Sequence, residues 1–169
     1  MTKLYLVRHG ETFDNERQIM QGQTQGKLNL TGIRQAEALS RQLADEHFDA
    51  VVASDLWRAV QTAQILAEPH HLPVVITPLL RERDWGSFTG RFIPGLKDIK
   101  PWPDDIGSLP MMKERAARFL DFIREQYPNS QVLAVGHGIT NKAIQAVYWD
   151  KEMHEIEKMK NAEVRILDI

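Results

Sequence analysis

The chain has 169 residues, 43% of them hydrophobic, enough for one domain with a full-sized core. A formal charge of −2 and a pI near 6.3 exclude the basic footprint of a nucleic-acid binder, and the lack of cysteine excludes a disulfide framework or a thiolate metal site. No apolar run has the length of a secretory signal or a membrane span, so the composition reads as a cytoplasmic chain with neither nucleic acid nor membrane as partner.

Leu4-Tyr5-Leu6-Val7 predicts a short buried strand that spills directly into Arg8-His9-Gly10-Glu11-Thr12. In open α/β sheets, ligands gather outside the carboxyl ends of the strands. An arginine there offers a planar fork of donors suited to phosphate, and the histidine beside it is a candidate nucleophile. Phe13 to Asn29, rich in Gln, Gly and Asn, reads as loop with at most a short helix. Thr31-Gly32 opens a helix whose apolar stripe is Ile33, Ala36, Leu39 and Leu43. Phe48 to Ala53 is a second buried strand. Ser54-Asp55 then cap a helix that carries Arg58 in its first turn and ends at Pro69. Trp57, Met111 and Met112 read as packing, and His70-His71 as loop.

Leu72 to Ile76 predicts a third strand, followed by Glu82 with Asp84 two residues on as a rival acid. Between residues 86 and 110 the prolines at 94, 101, 103 and 110 break any helical period. A long irregular segment of this kind points to a lid or mouth, and its Arg91, Lys97 and Lys100 are candidates to meet an anionic substrate. Helix returns from Met111 to Tyr127, with Met112, Ala116, Phe119, Leu120 and Ile123 on one face. Val132 to Val135 is another apolar strand, ending in Gly136-His137-Gly138; a helix follows, and Asn161 to Leu167 closes the sheet. In a mainly parallel sheet with right-handed crossovers these strand ends share one edge, which would gather Arg8, His9, Arg58, Glu82 and His137 into one pocket.

Leu6 to Asn15 runs as an aliphatic residue, any residue, Arg-His-Gly-Glu, three more residues and Asn. That pattern resembles the signature of the histidine phosphatase superfamily, the phosphoglycerate mutase-like fold. Gln21-Gly22, the run from Ser54 to Ala63, Leu80-Arg81-Glu82 with Gly86 four residues on, and Gly136-His137-Gly138 are similar to its later motifs. One departure stands out. Gln25 and Lys27 occupy places where the family usually has an aspartate and a proline.

The resemblance implies a three-layer α/β/α sandwich over residues 1–169, with a mainly parallel central sheet and residues 86–110 at the mouth of the site. It implies a metal-independent phosphatase with no cofactor, acting on small phosphorylated metabolites through a phosphohistidine on His9. Glu82 would be the general acid and base, and Arg8, Arg58 and His137 would hold the phosphoryl group. Asn15, Gln21, Gly22 and Gly138 would complete the binding surface. Arg8 and Arg58 should push the His9 pKa below its usual value of about 6.5, keeping the nucleophile neutral. Only 32 residues follow His137, too few for the long covering segments of mutases, which favours transfer to water. Alternative expectations are a phosphoglycerate mutase, a phosphohistidine-protein phosphatase and a non-catalytic phospholigand-binding module.

Overall fold

The computed structural model describes residues 1–169. Five strands form one sheet: β1 (Lys3–Arg8), β2 (Ala50–Ser54), β3 (Val74–Thr77), β4 (Gln131–Gly136) and β5 (Val164–Asp168), in the order β3-β2-β4-β1-β5. The pairs β1·β4, β2·β4 and β2·β3 are parallel, and β5 joins antiparallel to β1. The helices are α1 (Phe13–Arg17), α2 (Leu30–Gln42), α3 (Trp57–Ala67), α4 (Leu109–Gln126) and α5 (Gly138–Trp149).

Strand periodicity divides the core in two. Leu4, Leu6, Ala50, Val52, Val132 and Ala134 point to one face, where they pack with Met112, Phe119, Leu120 and Ile123 of α4 and Ala143 and Ile144 of α5. Their alternates Tyr5, Val7, Val51, Ala53, Leu133 and Val135 point to the other face, against Leu39 of α2 and Ala59, Ala63 and Leu66 of α3. Both faces are covered, so β1, β2 and β4 read as continuous apolar runs rather than alternating ones. The result is an α/β/α sandwich. No helix is long and apolar enough to cross a membrane.

Several boundaries differ from the sequence reading. β2 starts at Ala50 because Phe48 turns into the α2–α3 core, and β3 is moved on to Val74–Thr77 by its register with Val51–Ser54. Helix α2 starts at Leu30, one residue before Thr31, capped by the Asn29 side chain on Gly32 N–H. Pro110 does not precede α4 but sits in its first turn, where a missing N–H costs nothing, behind the Ser108 cap. Trp57 and Met111 are largely exposed rather than packed, whereas Met112 is buried.

Candidate active site

The carboxyl ends of β1 and β4 lie side by side, Arg8 opposite Gly136. His9 follows β1 and His137 follows β4; the two rings are 5.2 Å apart, and both residues are buried. His9 Nδ1 lies 2.7 Å from its neighbour's Gly10 carbonyl. A carbonyl only accepts, so Nδ1 carries the hydrogen and a neutral ring has its lone pair on Nε2. Gly10 is held in turn by its N–H to Thr62 Oγ1 (3.1 Å), and the His9 carbonyl accepts from Asn161 Nδ2 (3.1 Å).

Burial is the main cause that drives the His9 pKa well below its ordinary value, with Arg58 and then Arg8 adding to it. The sequence reading named the arginines and missed the larger cause. His137 is lowered well below the usual value in the same way, by burial first and then Arg58. Its Nε2 meets Ser54 Oγ at 2.9 Å, leaving Nδ1 buried without a partner. Ser54, at the end of β2, was read only as a helix cap, and its contact crosses 83 positions of sequence.

Arg8 extends from the end of β1, with Nη1 donating to the Met159 carbonyl (2.8 Å) and Nε buried and unpaired. Arg58 lies in the first turn of α3. Its Nη2 donates to the Gly22 carbonyl (2.7 Å) and its Nη1 to that of Thr24, and its Nε is likewise unpaired. Burial pushes the Arg58 pKa down to about 10, still far above neutrality.

Glu82 sits across the start of α5. Its Oε1 accepts from Arg83 N–H (2.9 Å) and Thr140 N–H (3.0 Å), and its Oε2 from Ile139 N–H (3.1 Å). The carboxyl group thereby satisfies amides that α5 leaves open, since His137 provides no side-chain cap. Asp84, the rival, is exposed. It is spent on a turn, accepting from Gly86 N–H, while its carbonyl accepts from Gly107 N–H.

A cavity of about 230 Å³ collects Arg8, His9, Asn15, Gln21, Gly22, Arg58, Glu82 and Gly138, eight of the nine positions singled out from the sequence. The ninth, His137, stands beside His9 with the two rings in edge contact. Asn15 is fixed by a reciprocal capping box with Thr12, and Gln21 Oε1 accepts from the Thr12 hydroxyl. Gln25, at a place where the resemblance predicts aspartate, caps α3 from outside. Its side chain accepts from Trp57 N–H and its carbonyl from Arg58 N–H. Asp55 therefore does not cap that helix; it pairs with Arg81 at 2.7 Å.

The sequence reading missed Lys158, which lines the cavity with Ile19, Met20, Trp85, Ile93 and Ile139. Arg91, Lys97 and Lys100 do not reach it; Arg91 rests on the Phe88 ring, 5.7 Å from its centroid. A wider open groove of about 790 Å³ between α2 and α3, lined by Glu37, Arg41, Trp57 and Gln61, holds none of the residues at the strand ends.

A parallel-sheet edge with two arginines, two neutral imidazoles and a carboxyl group around one cavity defines a phosphoryl-handling α/β protein. Comparison with known proteins gives the family. The chain belongs to the histidine phosphatase superfamily (branch 1), whose family profile matches residues 4–169. It is 39% identical to the uncharacterized phosphatase PhoE of Bacillus subtilis over 148 residues, 85% of this chain and 76% of that one. It is also 32% identical over 152 residues to the probable phosphoglycerate mutase GpmB of Yersinia pestis, 82% of this chain and 71% of that one. The structure of a mycobacterial glucosyl-3-phosphoglycerate phosphatase superposes with a TM-score of 0.91 at 26% identity, covering 98% of this chain and 92% of that one.

Proposed function

We propose that the protein hydrolyses phosphate monoesters of small metabolites through a covalent phosphohistidine on His9. The observation that carries this reading is the state of His9: buried, neutral, with Nδ1–H on the Gly10 carbonyl and its lone pair on Nε2. Two arginine Nε donors stand unpaired close by. The phosphatase names among its relatives support the same reading.

In the first step the Nε2 lone pair attacks phosphorus, the P–O bond to the alcohol breaks, and Glu82 gives its proton to the departing oxygen. In the second step the Glu82 carboxylate takes a proton from water as its oxygen attacks phosphorus. The P–N bond then returns its electrons to Nε2, and inorganic phosphate leaves. Arg8, Arg58 and the His137 Nδ1–H, with Ser54 donating to Nε2, hold the oxygens on which charge builds. The chain's own cations supply this charge, so the reaction needs no metal. Asn15, Gln21, Gly22 and Gly138 complete the phosphate-binding wall. Residues 86–110 form the mouth: Ile93 enters the cavity, and Phe92 bridges to Ile19 on the facing loop.

The test is turnover of an aryl phosphate by the wild type and by His9→Ala. We expect a loss of at least about 10³-fold, with acid-labile label on the wild type only. Full turnover by His9→Ala refutes the mechanism. Likeness to GpmB favours phosphoglycerate mutation as the second reading. Conversion of 3- to 2-phosphoglycerate primed by a bisphosphate, faster than release of phosphate, would establish it.

A further inference from the structure

We propose that Lys158 is a selectivity residue that recognises a second anionic group, a carboxylate, on the leaving alcohol of the substrate. The inference rests on the monoesterase reading and names its preferred substrate class. Lys158 lies on the segment between α5 and β5, beside Met159, whose carbonyl holds Arg8 Nη1 at 2.8 Å. That bond ties the backbone next to Lys158 to the Arg8 side chain, and Lys158, itself an exposed residue, lines the cavity wall.

The ammonium takes part in no ion pair of the protein. The four ion pairs of the chain are His47–Asp49, Arg81–Asp55, Arg124–Asp121 and Arg165–Glu163, none of which includes Lys158. Its charged neighbours are Arg8, Lys142 and Glu82, and the carboxyl group of Glu82 is occupied by the amides of Arg83, Ile139 and Thr140. Partial desolvation and then Arg8 lower its pKa, with Glu82 opposing them.

Charge counting then selects the ligand. A phosphoryl dianion matches Arg8 and Arg58, and the Glu82 oxygens are taken up by amides, which leaves Lys158 at the cavity wall outside any ion pair. Ile19, Met20, Trp85, Ile93 and Ile139 offer no acceptor from their side chains. An anion carried on the leaving alcohol of the substrate would give this lysine its partner.

A matched pair of esters tests this: 3-phosphoglycerate, with a carboxylate on the leaving alcohol, and glycerol 3-phosphate, with a hydroxymethyl group in its place. The wild type is expected to prefer the first. In Lys158→Met, kcat/KM for 3-phosphoglycerate should fall about tenfold or more through KM, the size of one charge-assisted hydrogen bond, while glycerol 3-phosphate changes less than about threefold. Lys158→Arg should keep the preference. Equal losses on both esters would mean that Lys158 serves the phosphoryl group, and no change would make it a bystander; either overturns the proposal. If the wild type hydrolyses neither these esters nor the aryl phosphate, the hydrolase reading fails. Calorimetric binding of the same pair to His9→Ala and to His9→Ala/Lys158→Met then decides the selectivity, and equal binding or none refutes it.

Discussion

His9 and His137 are both buried with pKa values well below the ordinary imidazole value of about 6.5. In the unfolded chain both take up a proton as the pH falls through that value, and in the folded chain neither does. The unfolded state thus binds more protons below about pH 6.5, and stability falls with pH there by up to about 1.4 kcal/mol per unit for each histidine. Denaturant midpoints between pH 7.5 and 5 should show the slope, and His137→Asn should flatten it by about half. Over the same range kcat/KM should show no acid limb near pH 6.5 from His9, the proposed nucleophile. A slope absent from the wild type would mean that the histidines are protonated in the fold. Residues such as Arg8, His9 and His137 were legible in the sequence because an apolar run that stops at a charged or glycine-flanked residue is a local signal. Ser54 and Lys158 gave no such signal. The first looks like any helix cap, and the second lies in a charged stretch from Lys151 to Lys160 whose approach to Arg8 exists only after folding.

The elements meet at the site through unusually close backbone contacts. A Cβ added at Gly10 would stand 2.5 Å from the Gly32 carbonyl oxygen, and one added at Gly32 would collide with the Glu11 carbonyl. The loop after His9 therefore lies directly on the first turn of α2, and both glycines are present for space. Gly32→Ala in a free helix would gain about 1 kcal/mol of helix propensity. Here we expect the opposite sign, a loss of about 1–3 kcal/mol from overpacking. Displacing Glu11, whose nitrogen is bonded to the Gly10 carbonyl carbon, should also move the His9 Nδ1 acceptor and lower kcat/KM about 10²-fold, as a misplacement near 1 Å does. Thermal unfolding and aryl phosphate turnover of the variant check both parts, and a more stable variant with normal turnover would contradict the contact. The helices and the three buried strands were legible because their apolar periods are set by the elements themselves. What the sequence reading misplaced were the junctions. Gln25 caps α3 from another loop, and the start of β3 is fixed by register with β2; neither partner is a sequence neighbour.

For the whole molecule the consequence of the topology is that the proposed anion site is built before any ligand arrives. β1 supplies Arg8 and His9, α3 supplies Arg58, β4 leads to His137, and the α5 amides hold Glu82, so one sheet edge joins segments from residue 8 to residue 140. The unbound fold carries the cost of desolvating Arg58, whose pKa stands at about 10, and of leaving the Nε atoms of Arg8 and Arg58 without partners. An anion that binds only the folded state offsets that cost and stabilises the whole chain by mass action. At about 100 times its dissociation constant the gain is about 2.7 kcal/mol. For a domain of this size each kcal/mol is worth about 2–4 °C, so phosphate or vanadate should raise Tm by about 5–10 °C. Arg58→Met should lose most of that rise. A metal chelator should leave it unchanged, because the positive charge comes from side chains. A rise that survives Arg58→Met, or that a chelator abolishes, would place the anion elsewhere or on a metal, and the assembled sheet edge would then not be what recognises phosphate.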